Sequence, residues 1–215
     1  MQKIAELIEK GNVIGLFQGR MEYGPRALGN RSIIGDARSP QMQSRLNLKI
    51  KYRESFRPFA PTVLEERASD YFEMDGKSPY MLLCAGVREA RRKDFKLDIE
   101  KGREDLLPIV NTVRSDIPAV THVDYSARIQ TVNSQDNHLY YGILKAFEER
   151  TGCGVVINTS FNVRGEPIVC DYRDAYLCFM RTGMDVLVLE NMILYKETQP
   201  ELAEDIDWRE EYGLD

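Results

Sequence analysis

Short apolar runs alternate with helical patterns along almost the whole of this chain, and no other feature narrows its possible folds as much. Residues 13–17, 32–35, 59–64, 80–87, 128–132, 155–158, 186–189 and 193–195 read as strands. Between them, Ile4, Leu7 and Ile8 share one helical face ahead of a stop at Gly11, and Ser39 with Pro40 offers an N-cap and first turn for a helix to about residue 47. Residues 65–72, 136–150 and 171–182 complete the helical set, with Leu139, Ile143, Leu144 and Phe147 facing inward from the second of these. The interleaving predicts an α/β or α+β fold, a sheet with helices packed on it. Connections of such uneven length do not fit pure βαβ winding. With 215 residues and 43% hydrophobic content, there is material for one sizeable core or two small ones.

Charge is unevenly distributed. The whole chain carries −5, yet residues 20–57 hold nine Lys or Arg against three acids. That basic stretch also carries Gly and Pro punctuation, a combination that favours an anion site over a solvated face. The acidic remainder offers no second basic stripe, which argues against an extended RNA or DNA surface. No apolar run approaches the roughly 20 residues of a membrane span, and the amino terminus lacks a signal pattern, so a soluble, cytoplasmic protein is expected. Cys84, Cys153, Cys170 and Cys178 show no CxxC spacing and read as reduced thiols. With His122 and His138 the only histidines, no Cys/His zinc site is expected. Residues 88–105 mix both charge signs and read as a solvated insertion or exposed helix, and residues 197–215 form an acidic tail with the sole tryptophan, Trp208.

Three segments and one further arginine are suited to chemistry. In Gly19-Arg20-Met21-Glu22-Tyr23-Gly24-Pro25-Arg26-Ala27-Leu28-Gly29-Asn30-Arg31-Ser32, glycines permit close backbone approach while Arg20, Arg26 and Arg31 supply paired donors for phosphate oxygens. In Lys49-Ile50-Lys51-Tyr52-Arg53, an extended backbone would set Lys49, Lys51 and Arg53 on one side as a cationic ridge. Prolines and phenylalanines then stiffen the segment that follows, Glu54-Ser55-Phe56-Arg57-Pro58-Phe59-Ala60-Pro61. The third segment, Asn158-Thr159-Ser160-Phe161-Asn162, places short hydroxyl and amide side chains where a strand gives way to a loop. Such residues contact phosphate, ribose or a metal-bound ligand, and they are equally ordinary turn formers. Arg128, in Tyr125-Ser126-Ala127-Arg128-Ile129-Gln130, is the fourth candidate, open also to a surface ion pair.

No GxxxxGK[ST], GxGxxG or GxSxG motif occurs. The residues alone therefore indicate a polyanion site assembled from separated segments, with no evident nucleophile or histidine base. Chemistry there would rest on neutralising and positioning phosphates, with a Mg²⁺ ion held largely by the substrate.

Taken in order, Gly19-Arg20 with Glu22, the Gly24 to Ser32 run, Lys51-Tyr52-Arg53-Glu54, Phe56-Arg57-Pro58-Phe59-Ala60-Pro61, His122-Val123-Asp124, Arg128-Ile129-Gln130 and Asn158-Thr159-Ser160-Phe161-Asn162 resemble the C-terminal domain of the O-carbamoyltransferase family of NodU and CmcH type. The resemblance spans residues 1–196 and implies a YrdC-like fold, a twisted mixed sheet flanked by helices. It implies that carbamoyl phosphate and ATP are converted to carbamoyl-adenylate and diphosphate, with Mg²⁺ accompanying the nucleotide. Carried onto matching positions, Lys51, Arg53, Arg57, Arg128, Asn158 and Ser160 become nucleotide and carbamoyl phosphate contacts, Lys51, Arg128 and Ser160 being the catalytic group. Arg20, Arg26 and Arg31 become supporting phosphate ligands. In the family a separate N-terminal domain, with a histidine and aspartate metal site, transfers the carbamoyl group to a hydroxyl. That domain is not in these residues, so the chain is expected to act as an excised domain or one subunit of a split enzyme, with the transferase domain a partner in cis or in trans. The alternative is a non-catalytic module that binds nucleotide or RNA.

Overall fold

The computed structural model of the chain describes residues 1–94, 110 and 112–202. Among the described residues, eight strands form a single sheet: β1 (Ile14–Phe17), β2 (Arg31–Asp36), β3 (Ala60–Leu64), β4 (Leu83–Gly86), β5 (Ser126–Val132), β6 (Val155–Ser160), β7 (Val186–Leu189) and β8 (Met192–Tyr195). Their spatial order is β4-β5-β3-β6-β2-β1-β7-β8. The β1/β7 and β3/β5 pairs are parallel and the others antiparallel, so the sheet is mixed. Every residue of β1, β2, β3 and β7 is buried, which explains why β1 and β7 read as continuous apolar runs rather than alternating ones. The outer strands β4 and β8 each expose part of their length.

Among the described residues, these α-helices accompany the sheet: α1 (Gln2–Glu9), α2 (Met42–Lys49), α3 (Ala68–Tyr71), α4 (His138–Thr151) and α5 (Tyr172–Arg181). Helix α4 begins where the Asn137 side chain accepts the Tyr140 N–H at 3.0 Å, and it ends at Gly152, whose φ of 72° suits a residue without Cβ. Asp171 caps α5, accepting the Asp174 N–H at 3.0 Å, while the Asp174 carboxylate reaches back to the Asp171 N–H. The mixed sheet flanked by helices is the one the sequence led us to expect.

Two local expectations change. Helix α2 starts at Met42 rather than beside Pro40, because residues 36–42 first reverse direction: Ser39 N–H donates to Asp36 O, and the Asp36 carboxylate holds both the Arg38 N–H and its guanidinium. Residues 49–53 form no extended ridge either. The helix runs through Lys49, the N–H groups of Lys51 and Arg53 bond back to Leu46 and Asn47 carbonyls, and Tyr52 takes a φ of 46°. That coil turns Ile50 and Lys51 inward and leaves Lys49 exposed. Residues 95–105 of the charged segment, and Trp208 with the acidic tail from residue 203, lie outside the described residues.

Candidate active site

Register gathers the candidate residues at one end of the sheet. Ser160 pairs with Ser32, and Asn158 with Ala60, so β6 ends where β2 and β3 begin. Strand β5 runs parallel to β3 and brings Arg128 to the same end. Residues 18–30, between β1 and β2, fold over this end, and residues 50–59 flank it.

The first of these loops is tied down by one carboxylate. Glu22 Oε1 accepts the N–H groups of Leu28 and Asn30 at 2.7 and 2.8 Å, and the Asn30 side chain donates to the Arg20 carbonyl at 2.8 Å. Gly29 turns with φ of 116° against the Tyr140 ring, where a Cβ would come within 2.3 Å. The side chains of Asn158 and Gln130 then donate to the Ala27 and Leu28 carbonyls at 3.1 and 2.8 Å. Arg26 is thereby held over the end of β6. In the second loop, fully buried Asn47 donates to the carbonyls of Ser55 and Arg57 at 3.0 and 2.8 Å and accepts the Arg53 Nε–H at 2.7 Å. Arg53 also lies over the Phe59 ring, 5.0 Å from its centroid.

These elements enclose a cleft of about 190 Å³ whose walls include Arg26, Arg53, Arg128, Phe59, Asn158 and Ser160. Its electrostatics are one-sided. The pKa of Arg53 is drawn down to about 10 by burial and then by the charge of Arg57, and that of Arg128 is lowered by burial and then by Arg26. Arg26 and Arg128 each bury an Nε with no acceptor among the described residues, and Asn158 buries an unpaired Oδ1. Buried polar groups are usually hydrogen-bonded, so these atoms are free to take a partner from a ligand or from water.

The remaining predicted residues sit elsewhere. Lys51 lies beneath the cleft wall, 4% exposed, and its ammonium donates to Ser160 O at 2.7 Å, Asn162 O at 2.9 Å, Asn162 Oδ1 at 2.8 Å and Ser160 Oγ at 3.3 Å. Burial pulls its pKa down to about 7. Ser160 Oγ in turn donates to Asn162 Oδ1 at 2.7 Å. Arg31 is built into the fold: its guanidinium donates to the carbonyls of Gln18, Gly19 and Asn30 and stacks 3.5 Å from the Phe17 centroid. Arg20 is exposed outside the cleft wall, and Arg57 is exposed and paired with Glu54 at 3.1 Å. Sequence reasoning did not assign roles to Asn162, Gln130, Asn47 or Glu22. For Asn162 a signal existed, its position two residues after Ser160 at a strand end; Gln130 is defined only by partners far along the chain, and Glu22 and Asn47 by loop bonds six to ten residues away that no motif announces.

A family model described as carbamoyltransferase C-terminus matches residues 5–196. The chain belongs to that family. As a carbamoyltransferase C-terminal domain it is 60% identical over 215 residues to the uncharacterized protein sll1178 of Synechocystis sp., covering 99% of this chain and 34% of that one. It is 42% identical over 209 residues to nodulation protein NolNO of Sinorhizobium fredii, covering 96% and 27% respectively. With nodulation protein NolO of Bradyrhizobium diazoefficiens it shares 42% over 195 residues, 89% of this chain and 32% of the relative. The domain thus spans about a third of the length of these relatives. Among solved structures it resembles full-length HypF in a phosphate- and nucleotide-bound form, with a TM-score of 0.53 and 16% identity over 88% of this chain and 20% of that one. HypF from T. kodakarensis gives 0.51 and 17%, over 95% and 22%. At these identities the likeness establishes the fold, in keeping with the YrdC-like arrangement expected. No helix among the described residues is long and apolar enough to cross a membrane.

Proposed function

We propose that this carbamoyltransferase domain performs the activating half-reaction, making carbamoyl-adenylate from carbamoyl phosphate and ATP. The observation that carries the reading is the pair of arginines, Arg26 and Arg128, that face one small cleft with buried Nε atoms and no acceptor. Guanidinium groups set side by side repel, and a phosphate joins them through paired N–H···O bonds. Family membership supplies the carbamoyl chemistry, and the phosphate and nucleotide bound by the structurally similar HypF agree with it.

In this scheme carbamoyl phosphate reacts with water in the cleft to give carbamate and phosphate. A carbamate oxygen then attacks the α-phosphorus of ATP, the bond to the bridging oxygen breaks, and diphosphate departs. Arg26, Arg53 and Arg128 hold the phosphates and neutralise the charge that builds up in transfer. Ser160 positions the reacting end from the cleft wall, and Lys51 acts one layer behind by fixing Ser160 and Asn162. Among the described residues no three acidic, imidazole or thiol groups come together. A Mg²⁺ ion accompanying ATP would take its oxygens largely from the phosphates and water.

Carbamoyl phosphate-dependent exchange of labelled diphosphate into ATP tests the reading. Arg128→Ala is expected to reduce exchange by at least about 100-fold, the scale of losing a charge-stabilising donor. Exchange in Arg128→Ala and Arg26→Ala at the unsubstituted rate would refute it. A cleft of this size, with no second basic stripe beside it, does not favour binding of RNA.

A further inference from the structure

Between Lys51 and Arg53 the chain turns in a way that its sequence does not favour. Tyr52 takes a φ of 46°, in the left-handed region that glycine enters freely, asparagine and aspartate less often, and a bulky aromatic residue only under constraint. In an extended strand, side chains two residues apart share a side. Here Lys51 runs beneath the cleft wall to Ser160 and Asn162, whereas Arg53 lines the cleft itself. The left-handed residue between them is what parts the two cations.

Helix α5 supplies the constraint. Tyr52 Oη donates to the Arg181 carbonyl at 2.9 Å, an oxygen of the last helical turn for which the helix itself has no N–H. On the other side of Lys51, the Gly183 N–H donates to the Lys49 carbonyl at 2.8 Å, and a Cβ on Gly183 would come within 3.0 Å of Lys49 Cβ. The end of α5 is firmly held in its turn. Thr182 Oγ1 donates to the Cys178 carbonyl at 2.7 Å, and the Lys196 ammonium donates to the carbonyls of Phe179 and of Thr182, the latter at 3.0 Å. Asn47, through its carbonyl and its side chain, and the Phe59 ring hold Arg53 from the opposite side. Without the phenol bond, Tyr52 would keep the cost of its conformation and lose the tie that offsets it, so the backbone would relax towards negative φ and carry Arg53 with it. We propose that Tyr52 is a positioning residue for phosphate binding: its phenol, anchored on α5, holds the left-handed backbone that aims Arg53 into the cleft while Lys51 passes beneath, a role that rests on the proposed function for the cleft as the phosphate site.

Calorimetry on the whole chain with diphosphate tests it, because a loss of folded protein alters the number of binding sites and not their affinity. Tyr52→Phe, which keeps the ring, should weaken diphosphate binding about 3- to 10-fold, the worth of one neutral hydrogen bond. In an Arg53→Ala background the same change should alter affinity by less than about twofold, since the effect travels through Arg53. Tyr52→Gly, which removes the backbone strain together with the anchor, serves where the phenylalanine variant folds poorly, and it should weaken diphosphate over the same range. Unchanged affinity in Tyr52→Phe, or in Tyr52→Gly where the former does not fold, overturns the role, as does a loss of the same size in the absence of Arg53. The carbamoyl phosphate-dependent exchange separates this role from the proposed function. Exchange by the unsubstituted protein, with diphosphate bound normally by the Tyr52 variants, overturns the positioning role alone. An Arg53-dependent loss of affinity in a protein that shows no exchange upholds the positioning role and overturns the activation chemistry. A chain that binds no diphosphate overturns both.

Discussion

Lys51 illustrates how a single side chain can set stability and activity against each other. Its ammonium serves four oxygens of Ser160 and Asn162, yet burial lowers its pKa from the ordinary 10.5 to about 7. Between those values the unfolded chain holds the proton and the folded chain has released it, so folding gains stability as pH rises through this window. Below about pH 7 the folded protein carries the full cost of the buried charge. The ammonium shares three N–H groups among those four oxygens and a neutral amine has only two, so Ser160 and Asn162 are held less firmly over the same range. Thermal unfolding should therefore shift upward with pH above about 7 while diphosphate exchange declines. Lys51→Met should flatten the stability profile and lose the pH-dependent limb of activity. Coincident rise or fall of both properties in the unsubstituted protein would show that another group governs them. The sequence offered Lys51 as one cation of an extended ridge, because none of its partners, more than a hundred residues distant, can be read from its own neighbourhood.

Among the elements, the strands were the most legible. Apolar runs such as Ile14–Phe17 and Val186–Leu189 are buried throughout and leave little choice of state. The coil after helix α2 departs from the extended reading because short-range backbone bonds from Lys51 and Arg53 to Leu46 and Asn47 override period-two alternation at Lys49 to Arg53. The gathering of arginines was legible from their density among glycines, but which of them would line the cleft was not. Arg26 faces the cleft and Arg31 the fold, a difference made by a loop whose shape depends on Glu22. Replacing Glu22 by Gln keeps its size while weakening a charge-assisted hold on the Leu28 and Asn30 N–H groups, bonds worth about 1.5–3 kcal/mol each. Phosphate affinity measured by calorimetry should drop several-fold in Glu22→Gln although Glu22 does not line the cleft. Unaltered affinity would mean that the Gln130 and Asn158 bonds to the same loop suffice.

For the molecule as a whole, the match to about a third of its relatives' length limits what the domain is expected to complete. Activation and transfer are separate chemistries, and the cationic cleft suits the first. Incubated with ATP, carbamoyl phosphate and a hydroxyl acceptor, this chain should consume the first two without forming a carbamoylated acceptor; turnover to that product, followed by mass spectrometry, would assign both steps to these residues. The strand order carries a further consequence for how the site comes into being. Strand β6, bearing Asn158 and Ser160, is inserted between β3 and β2, both made far earlier in the chain. During synthesis, the first 150 or so residues emerge with a gap at the centre of the sheet and with Arg26 and Arg128 facing no common floor. Such long-range pairing is slow to form. A nascent or truncated chain lacking β6 therefore has no partial version of the cleft, and competence to bind phosphate arrives in one step with closure of the sheet.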